Sequence, residues 1–185
     1  MRKLLSFLWL AFLGIALYSY FLHPDFFQNQ LAVLASHSVY YAYGFLLLLG
    51  IIRGFTLVPI TYLIVLGLLV LQPFPLLIVV LIGAVVSSAS VYYFFEYLNL
   101  DVYFEKNHGK QIAKIKSALE KNELPIIIGW SAMPFLPTDV ICYVCGSLEV
   151  DIKKMLIGVF IGEGITCTLY IYFGHYVLDY LRFVF

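Results

Sequence analysis

The chain has 185 residues, of which 63% are hydrophobic and 12% are charged, and its formal net charge is zero. A soluble domain of this length cannot bury so much apolar surface, and a neutral chain gives no indication of a nucleic-acid partner. Several apolar runs approach the roughly 20 residues that a helix needs to cross a bilayer, and none alternates like a membrane β-strand. The composition therefore predicts an all-α integral membrane protein.

The first apolar run, residues 4–22, follows Arg2 and Lys3. It is longer than the apolar core of a signal peptide, and the residues after it lack a small-x-small cleavage site. We therefore expect an uncleaved transmembrane helix. Residues 23–38 follow as a polar connection that is partly helical at the membrane interface, which completes an N-terminal unit of residues 1–38.

The next apolar stretch, residues 39–71, is interrupted by Arg53 and Pro59. Proline removes a backbone hydrogen bond and disfavours helix in the residue before it, and an arginine at mid-depth is costly unless it is paired or hydrated. The sequence therefore predicts two shorter helices that meet near residues 53–59. A clean spanning helix, residues 76–98, comes next, with small residues that allow close helix approach.

Residues 99–123 carry five lysines, together with apolar residues at helical spacing. This pattern predicts a basic amphipathic helix on the membrane surface, and an ordinary solvated helix is an equally good alternative. A second interrupted apolar segment, residues 124–148, contains Pro134 and Pro137. The last span, residues 152–173, contains one acid, Glu163, and the aromatic tail 176–185 is too short to cross a bilayer unaided.

The placement of basic residues indicates the topology. Arg2, Lys3 and the lysines of residues 99–123 belong on the cytoplasmic side. Residues 39–71 then enter and leave from the opposite face, and residues 124–148 from the cytoplasmic face. We therefore expect an inverted repeat of two broken re-entrant hairpins, each followed by a transmembrane helix, plus the N-terminal transmembrane helix. Such paired interruptions point to a transport site near the bilayer midplane.

The second interrupted segment, WSAMPFLPTDVICYVCG, and the glycine-rich helix after it resemble the DedA-like proteins, also called the VTT-domain or SNARE-associated Golgi protein family. That family's pattern is an arginine, Pro-x-x-Pro, a polar or acidic residue, an aromatic residue and a glycine. The matching residues here are Pro134, Pro137, Asp139, Tyr143, Gly146, Gly162 and Gly174. The first segment resembles the family's N-terminal half through Arg53, Pro59 and Gly67.

This resemblance covers residues 39–175, which form a first half, 39–98, the basic linker, 99–123, and a second half, 124–175. It implies a lipid transporter or scramblase in a bacterial inner membrane, with the N-terminus in the cytoplasm. Its members are linked to phospholipid scrambling, to recycling of a polyprenyl phosphate carrier and to proton-motive-force homeostasis. Two positions depart from the family pattern: Ser131 stands where an arginine is expected, and Glu163 where a small residue or proline is usual.

Arg53 is the first candidate for the transport path, because a guanidinium can hold a phosphate with two parallel hydrogen bonds. The alternative is that Arg53 only ends a helix and reaches the interface. The departure at Ser131 leaves the second half without its expected phosphate-facing cation. Pro59, Pro134 and Pro137 are expected to break the helices of the hairpins, where helix ends at depth can bind ions. Gly67 and Gly146 are expected to serve either the turns of the hairpins or close packing.

Two acids complete the candidate path. Asp139 lies in the first turn of a helix opened by Pro137, where it either caps that helix or exchanges protons and pairs with Arg53. Glu163, between two glycines near the centre of a span, is a proton carrier or the partner of Arg53. The alternative for Glu163 is a fixed ion pair that only holds the two halves together.

Cys142 and Cys145 form a CxxC pattern, which allows a second hypothesis of a membrane thiol oxidoreductase. A redox dithiol needs a stabilised thiolate and access to partner thiols, and a zinc site needs four ligands. The sequence offers no nearby cation and no second cysteine pair, and free cysteines usually pack as small apolar residues. A third hypothesis is a scaffold that recruits partners through residues 99–123.

The leading prediction is a transporter or scramblase, not an enzyme, whose partners are membrane lipids and, if transport is proton-coupled, protons. We expect no catalytic residue, metal ion or cofactor. The sequence leaves two questions undecided: whether the protein forms a homo-oligomer, and whether it scrambles lipids passively or couples their transport to protons.

Overall fold

The computed structural model describes residues 24–56, 58–98, 122–133, 138–148 and 150–184, which form seven helices and no strand. In chain order these are α1 (Pro24–His37), α2 (Val39–Thr56), α3 (Ile60–Leu68), α4 (Pro73–Leu98), α5 (residues 122–131), α6 (Thr138–Ser147) and α7 (Ile152–Val184). The all-α class is therefore confirmed. The predicted helix 4–22, most of the basic segment 99–123, Pro134 and Pro137 lie outside the described residues.

Three of the described helices are long and apolar enough to cross a membrane: Val39–Thr56, Pro73–Phe94 and Ile152–Tyr180. Large apolar side chains are exposed on their outer surfaces, among them Leu48, Ile82 and Leu169. Exposing such an apolar surface to water is unfavourable, whereas contact with lipid tails has no such cost. The described bundle therefore has the exterior of an integral membrane protein.

The first apolar stretch breaks where the sequence predicts. Helix α2 ends at Thr56, whose hydroxyl donates to the Arg53 carbonyl at 3.0 Å and so satisfies one of the acceptors left open at the helix end. Pro59 is extended, with φ −61° and ψ 140°, and α3 starts at Ile60. Helix α3 has nine residues and spans about 14 Å, which is half or less of a bilayer core.

Helices α2 and α4 run parallel and touch through small residues. A Cβ added to Gly50 would lie 3.3 Å from the Gly83 Cα, and one turn later a Cβ on Gly54 would lie 2.7 Å from Val91. Position 50 thus faces position 83, and position 54 faces the turn that begins at Ser87. Small residues at these crossings let the two backbones approach closely.

Helices α5 and α7 repeat this arrangement in the second part of the chain. Lys154 of α7 bonds Glu123 of α5 at 2.5 Å, and a Cβ on Gly158 would lie 2.6 Å from Ile127. One turn further along, a Cβ on Gly162 would lie 2.6 Å from the Ser131 Cβ. The contacts advance in the same direction on both helices, so α5 and α7 are parallel.

The apolar interior forms two clusters, one near each end of the bundle. The first includes Leu46, Leu63, Ile64, Val80 and Ile171, from α2, α3, α4 and α7. The second includes Val91, Ile127, Cys142, Met155 and Val159, from α4, α5, α6 and α7. Between the two clusters, α4 and α7 carry polar side chains, so the bundle has a polar layer between two apolar layers.

Helix α7 extends beyond the predicted end at residue 173 and continues through the aromatic tail to Val184. Gly174 lies within the helix and packs against Leu68: a Cβ there would lie 2.8 Å from the leucine Cδ1. One turn on, His175 and Asp179 lie 3.3 Å apart at i, i+4 spacing, and no proline follows. Nothing in this stretch therefore interrupts the helix.

Candidate functional site

Three charged side chains from three helices meet inside the polar layer. Arg53, in the last turn of α2, places its Nη2 2.7 Å from Glu163 Oε1 of α7 and its Nη1 3.5 Å from Asp139 Oδ2 of α6. The exposed fractions of the three side chains are 3%, 1% and 1% for Arg53, Asp139 and Glu163. One guanidinium thus joins two carboxylates that are distant in sequence, one closely and one loosely.

The triad leaves hydrogen-bonding capacity unused. Arg53 Nε, Asp139 Oδ1 and Glu163 Oε2 are buried and have no hydrogen-bond partner among the described residues. Buried polar atoms are nearly always paired, so three open atoms on one ion cluster are unusual for a purely structural contact. A cluster that only held helices together would be expected to satisfy these atoms.

The triad lies close to the middle of the bundle. Gly54, the residue after Arg53, donates its backbone N–H to Ser87 Oγ of α4 at 3.0 Å. Ser87 is about 5 Å beyond the midpoint of the apolar span Pro73–Phe94, taking 1.5 Å per helical residue. On α7, Glu163 lies between Val159 of one apolar cluster and Cys167 of the other. Ser87 and Glu163 therefore lie well inside α4 and α7, whereas Arg53 itself is in the last turn of α2.

Gly54 is the point where three helices approach most closely. Tyr143 of α6 donates its hydroxyl to the Gly54 carbonyl, and Ser87 of α4 accepts from the Gly54 nitrogen. A Cβ on Gly54 would lie 3.1 Å from Asp139 Oδ1 and 2.7 Å from Val91. Only glycine fits here, and the end of α2 is thereby fixed against both α4 and α6.

Ser131, at the end of α5, is buried next to Gly162, the residue that precedes Glu163. Its hydroxyl has no hydrogen-bond partner among the described residues. Thr166, one turn beyond Gly162, donates to the Ala132 carbonyl at 3.1 Å and so binds the end of α5 to α7. An arginine at position 131 would have to fit into this buried space beside Gly162.

The structure thus brings together Arg53, Asp139 and Glu163 and places Ser131 at their edge, as the predicted path requires; the transport roles of these residues stay a prediction. Gly67 packs on Leu76, and Gly146 packs on the backbone of Tyr92, so both serve close packing. Pro59 is exposed at the break.

Gly54 and Ser87 were not among the predicted site residues, and Gly162 was predicted only as part of a family motif. Their signal was present in the chain: a glycine directly follows Arg53, and Ser87 belongs to the small residues of a spanning helix. The sequence alone did not show that these small residues border the charged centre.

Cys142 and Cys145 are free thiols in α6, and both are completely buried. They pack with Met155 and Val159 in the second apolar cluster. Within the described ranges, no group of three or more metal-binding side chains occurs. Nothing in this environment supports a thiol oxidoreductase.

Together, the fold and the site define a helical membrane protein with an apolar exterior and a charged centre inside the bundle. Sequence comparison identifies its family: the VTT domain matches residues 58–176. This match covers more than half of the chain, and the chain belongs to the VTT-domain family, also called the DedA family. The matched range includes Asp139 and Glu163 but begins after Arg53. Searches of curated proteins and of solved structures found no match.

Proposed function

We propose that this protein moves phospholipids or polyprenyl phosphates across the membrane, with head groups passing the Arg53 centre while the acyl tails stay in lipid. The observation that carries the proposal is a buried guanidinium shared unequally by two carboxylates, with its Nε open. A phosphate can take parallel hydrogen bonds from a guanidinium in the same way as a carboxylate. The head group would replace the more weakly held carboxylate.

The architecture that we propose is an inverted repeat of two broken re-entrant hairpins. Two features support it: α2 lies parallel to α4, and α5 lies parallel to α7, each pair touching through glycines. The breaks also correspond, since Pro59 directly precedes α3 and Pro137 directly precedes α6. Helix ends that meet at mid-depth from opposite faces give a polar passage of the kind that transporters use.

Proton exchange is part of the proposed mechanism. With both carboxylates ionised, the triad carries one excess negative charge and repels a phosphate. Protonation of one carboxylate removes that charge and lets the guanidinium change partners. In this scheme no covalent bond is made or broken, so the protein acts as a transporter and not as an enzyme.

The proposed setting is the bacterial inner membrane with the N-terminus in the cytoplasm. The support for this orientation is the position of Arg2, Lys3 and the lysines of residues 99–123. The contacts of one chain describe the whole triad, so the proposed passage needs no second copy. A homo-oligomer is compatible with this arrangement.

Reconstitution into liposomes tests the proposal. Purified protein is incorporated into vesicles that contain a head-group-labelled phospholipid or a labelled polyprenyl phosphate, and transbilayer movement is followed by an impermeant quencher. We expect faster movement with wild type, and a loss of that acceleration in Arg53→Ala and Glu163→Gln. Gly44→Ala is the matched control, because a Cβ at Gly44 meets nothing within 4 Å. Wild-type vesicles that move neither lipid faster than protein-free vesicles would refute the proposal.

A further inference from the structure

We infer that the buried centre is a binding site for one proton, carried at rest by Asp139, and that Glu163 is the permanent counter-ion of Arg53. This assignment deepens the proposed function, and only its consequence for lipid movement rests on that function. The protonation state itself follows from the charges, the distances and the packing of the described residues.

The charge count requires a compensating cation. Arg53 supplies one positive charge, and Asp139 and Glu163 together supply two negative charges if both are ionised. The uncompensated charge would lie near mid-depth, with less than a twentieth of each side chain exposed. Burying an unpaired charge in this setting is far more costly than binding a proton.

No other described side chain supplies that cation. The charged groups that act on Asp139 are Arg53 from α2 and Glu163 from α7. The other groups around the centre are neutral: Ser87 of α4 borders Gly54 beside Asp139, Tyr143 and Cys142 of α6 interact with Asp139, and Cys167 of α7 interacts with Arg53 and Glu163. Within the described ranges, a proton on one of the two carboxyls is therefore the simplest way to balance the charge.

The distances decide which carboxyl carries the proton. Glu163 accepts from Arg53 at 2.7 Å, the length of a charge-assisted hydrogen bond, whereas Asp139 stands at 3.5 Å. The first turn of α6 favours an ionised Asp139 through the helix dipole, but that effect is weaker than a charge-assisted hydrogen bond to a buried guanidinium. Glu163 is therefore assigned the charge and Asp139 the proton.

The packing around Asp139 favours a proton over a metal ion. A Cβ on Gly54 would lie 3.1 Å from Asp139 Oδ1 and 2.7 Å from Val91, so the space between Asp139 and α2 is already filled. A metal ion needs several oxygen ligands arranged around it, and the Ser87 hydroxyl, which also borders Gly54, already accepts from the Gly54 nitrogen. A proton on Oδ1 needs no extra space.

This assignment identifies the side of Arg53 that a head group approaches. A neutral Asp139 can leave Nη1 without removing a charge from the centre, and the N–H groups of Nη1 can then be donated to a phosphate. Glu163 stays on Nη2 throughout. Asp139 thus acts as a displaceable, neutral partner, and Glu163 holds the guanidinium in position.

Infrared spectroscopy of the full-length protein in lipid tests the assignment without relying on transport. We expect wild type at neutral pH to show the C=O band of a protonated carboxyl, and this band to shift when aspartate is isotopically labelled at its carboxyl carbon. Asp139→Asn should lose the band. Glu163→Gln should lose it as well, because Asp139 must then ionise to balance Arg53. The control Asp179→Asn, an exposed site on α7, should keep it.

Three results would overturn the assignment: no protonated-carboxyl band in wild type, a band that does not respond to aspartate labelling, or a band that persists in Asp139→Asn. Aspartate labelling needs no substitution, so the test holds even if Asp139→Asn does not fold. Sodium-dependent thermal stabilisation of a protein without the band would instead indicate a metal ion. If the band is present but lipid movement is absent, the proposed function fails while the proton site stands.

Discussion

The two parallel helix pairs, α2 with α4 and α5 with α7, use the same packing for different chemistry. In each pair a glycine lets the end of the first helix lie against the second helix. In the first pair Gly54 of α2 packs on Ser87 and Val91 of α4, and in the second pair Gly162 of α7 packs on Ser131 of α5. The first pair brings an arginine to this crossing. The second pair brings a serine to the corresponding place and a glutamate on its spanning helix.

The difference teaches how the centre is assembled. Its only described cation, Arg53, comes from the first half, and both of its carboxyl groups, those of Asp139 and Glu163, come from the second half. Neither half can balance its own charge, so the ion cluster links the halves. A movement of one half relative to the other would change the distances from Arg53 to Asp139 and Glu163. The conformation of the bundle is therefore coupled to the pairing of its charges.

The largest effect is expected from removal of the cation. Arg53→Met keeps much of the side-chain volume but leaves the buried Glu163 carboxylate without its counter-charge. Breaking a buried ion pair on one side typically costs about 3–5 kcal/mol, so we expect a large fall in thermal stability in detergent. Stability equal to wild type at neutral pH would contradict the triad.

The second prediction asks whether the α5–α7 crossing is as tight as the α2–α4 crossing. In Gly162→Ala the new Cβ would lie 2.6 Å from the Ser131 Cβ and 2.7 Å from the Ile128 carbonyl oxygen. Because the backbone cannot yield easily, we expect a loss of about 1–3 kcal/mol in unfolding free energy.

Gly129→Ala is the matched control for this change, since a Cβ at Gly129, also on α5, has nothing within 4 Å. It should be neutral, or stabilising by up to about 1 kcal/mol, as an exposed helical Gly→Ala change usually is. If Gly162→Ala is as stable as Gly129→Ala in the same denaturation assay, the proposed packing of α5 on α7 is wrong.

A smaller effect is expected from Tyr143→Phe, which removes the hydroxyl that α6 donates to the Gly54 carbonyl at the end of α2. A hydrogen bond of this kind contributes about 0.5–1.5 kcal/mol, and the ring remains to fill its space. Hydrogen exchange at the C-terminal turn of α2 should increase. Unchanged exchange there would show that this contact does not hold the two halves together.

The smallest effect on function is expected from Cys142→Ala/Cys145→Ala. Both thiols are buried in the second apolar cluster, so the change should cost some stability through lost packing but leave lipid movement intact. Loss of transport by a double variant that still folds, or capture of a Cys142–Cys145 disulfide during turnover, would support the oxidoreductase hypothesis instead.

Local sequence rules accounted for the breaks in the fold. Pro59 cannot continue a helix, and an arginine inside an apolar run needs a partner, so the end of α2 and the importance of Arg53 could be predicted. The continuation of α7 to Val184 could not, because an aromatic tail with one glycine is compatible with either a loop or a helix.

The partners of Arg53 were only partly predictable. The sequence offered Asp139 and Glu163 as alternatives, and the structure has both in contact, with Glu163 closer. Residues more than eighty positions apart meet only because glycines such as Gly54 let the helices approach, and local patterns do not record which helices will pack together. For the same reason Ser87 was treated as a packing residue and not as a neighbour of the charged centre.

The central claim is that Arg53 of the first half and Glu163 of the second half form the contact on which lipid movement depends. Its most direct test is a charge exchange measured in the liposome assay: Arg53→Glu, Glu163→Arg and the double variant, each checked for folding. We predict that both single variants lose transport and that the double variant recovers a measurable part of it. Single variants that transport like wild type, or a folded double variant that stays inactive, would contradict the claim.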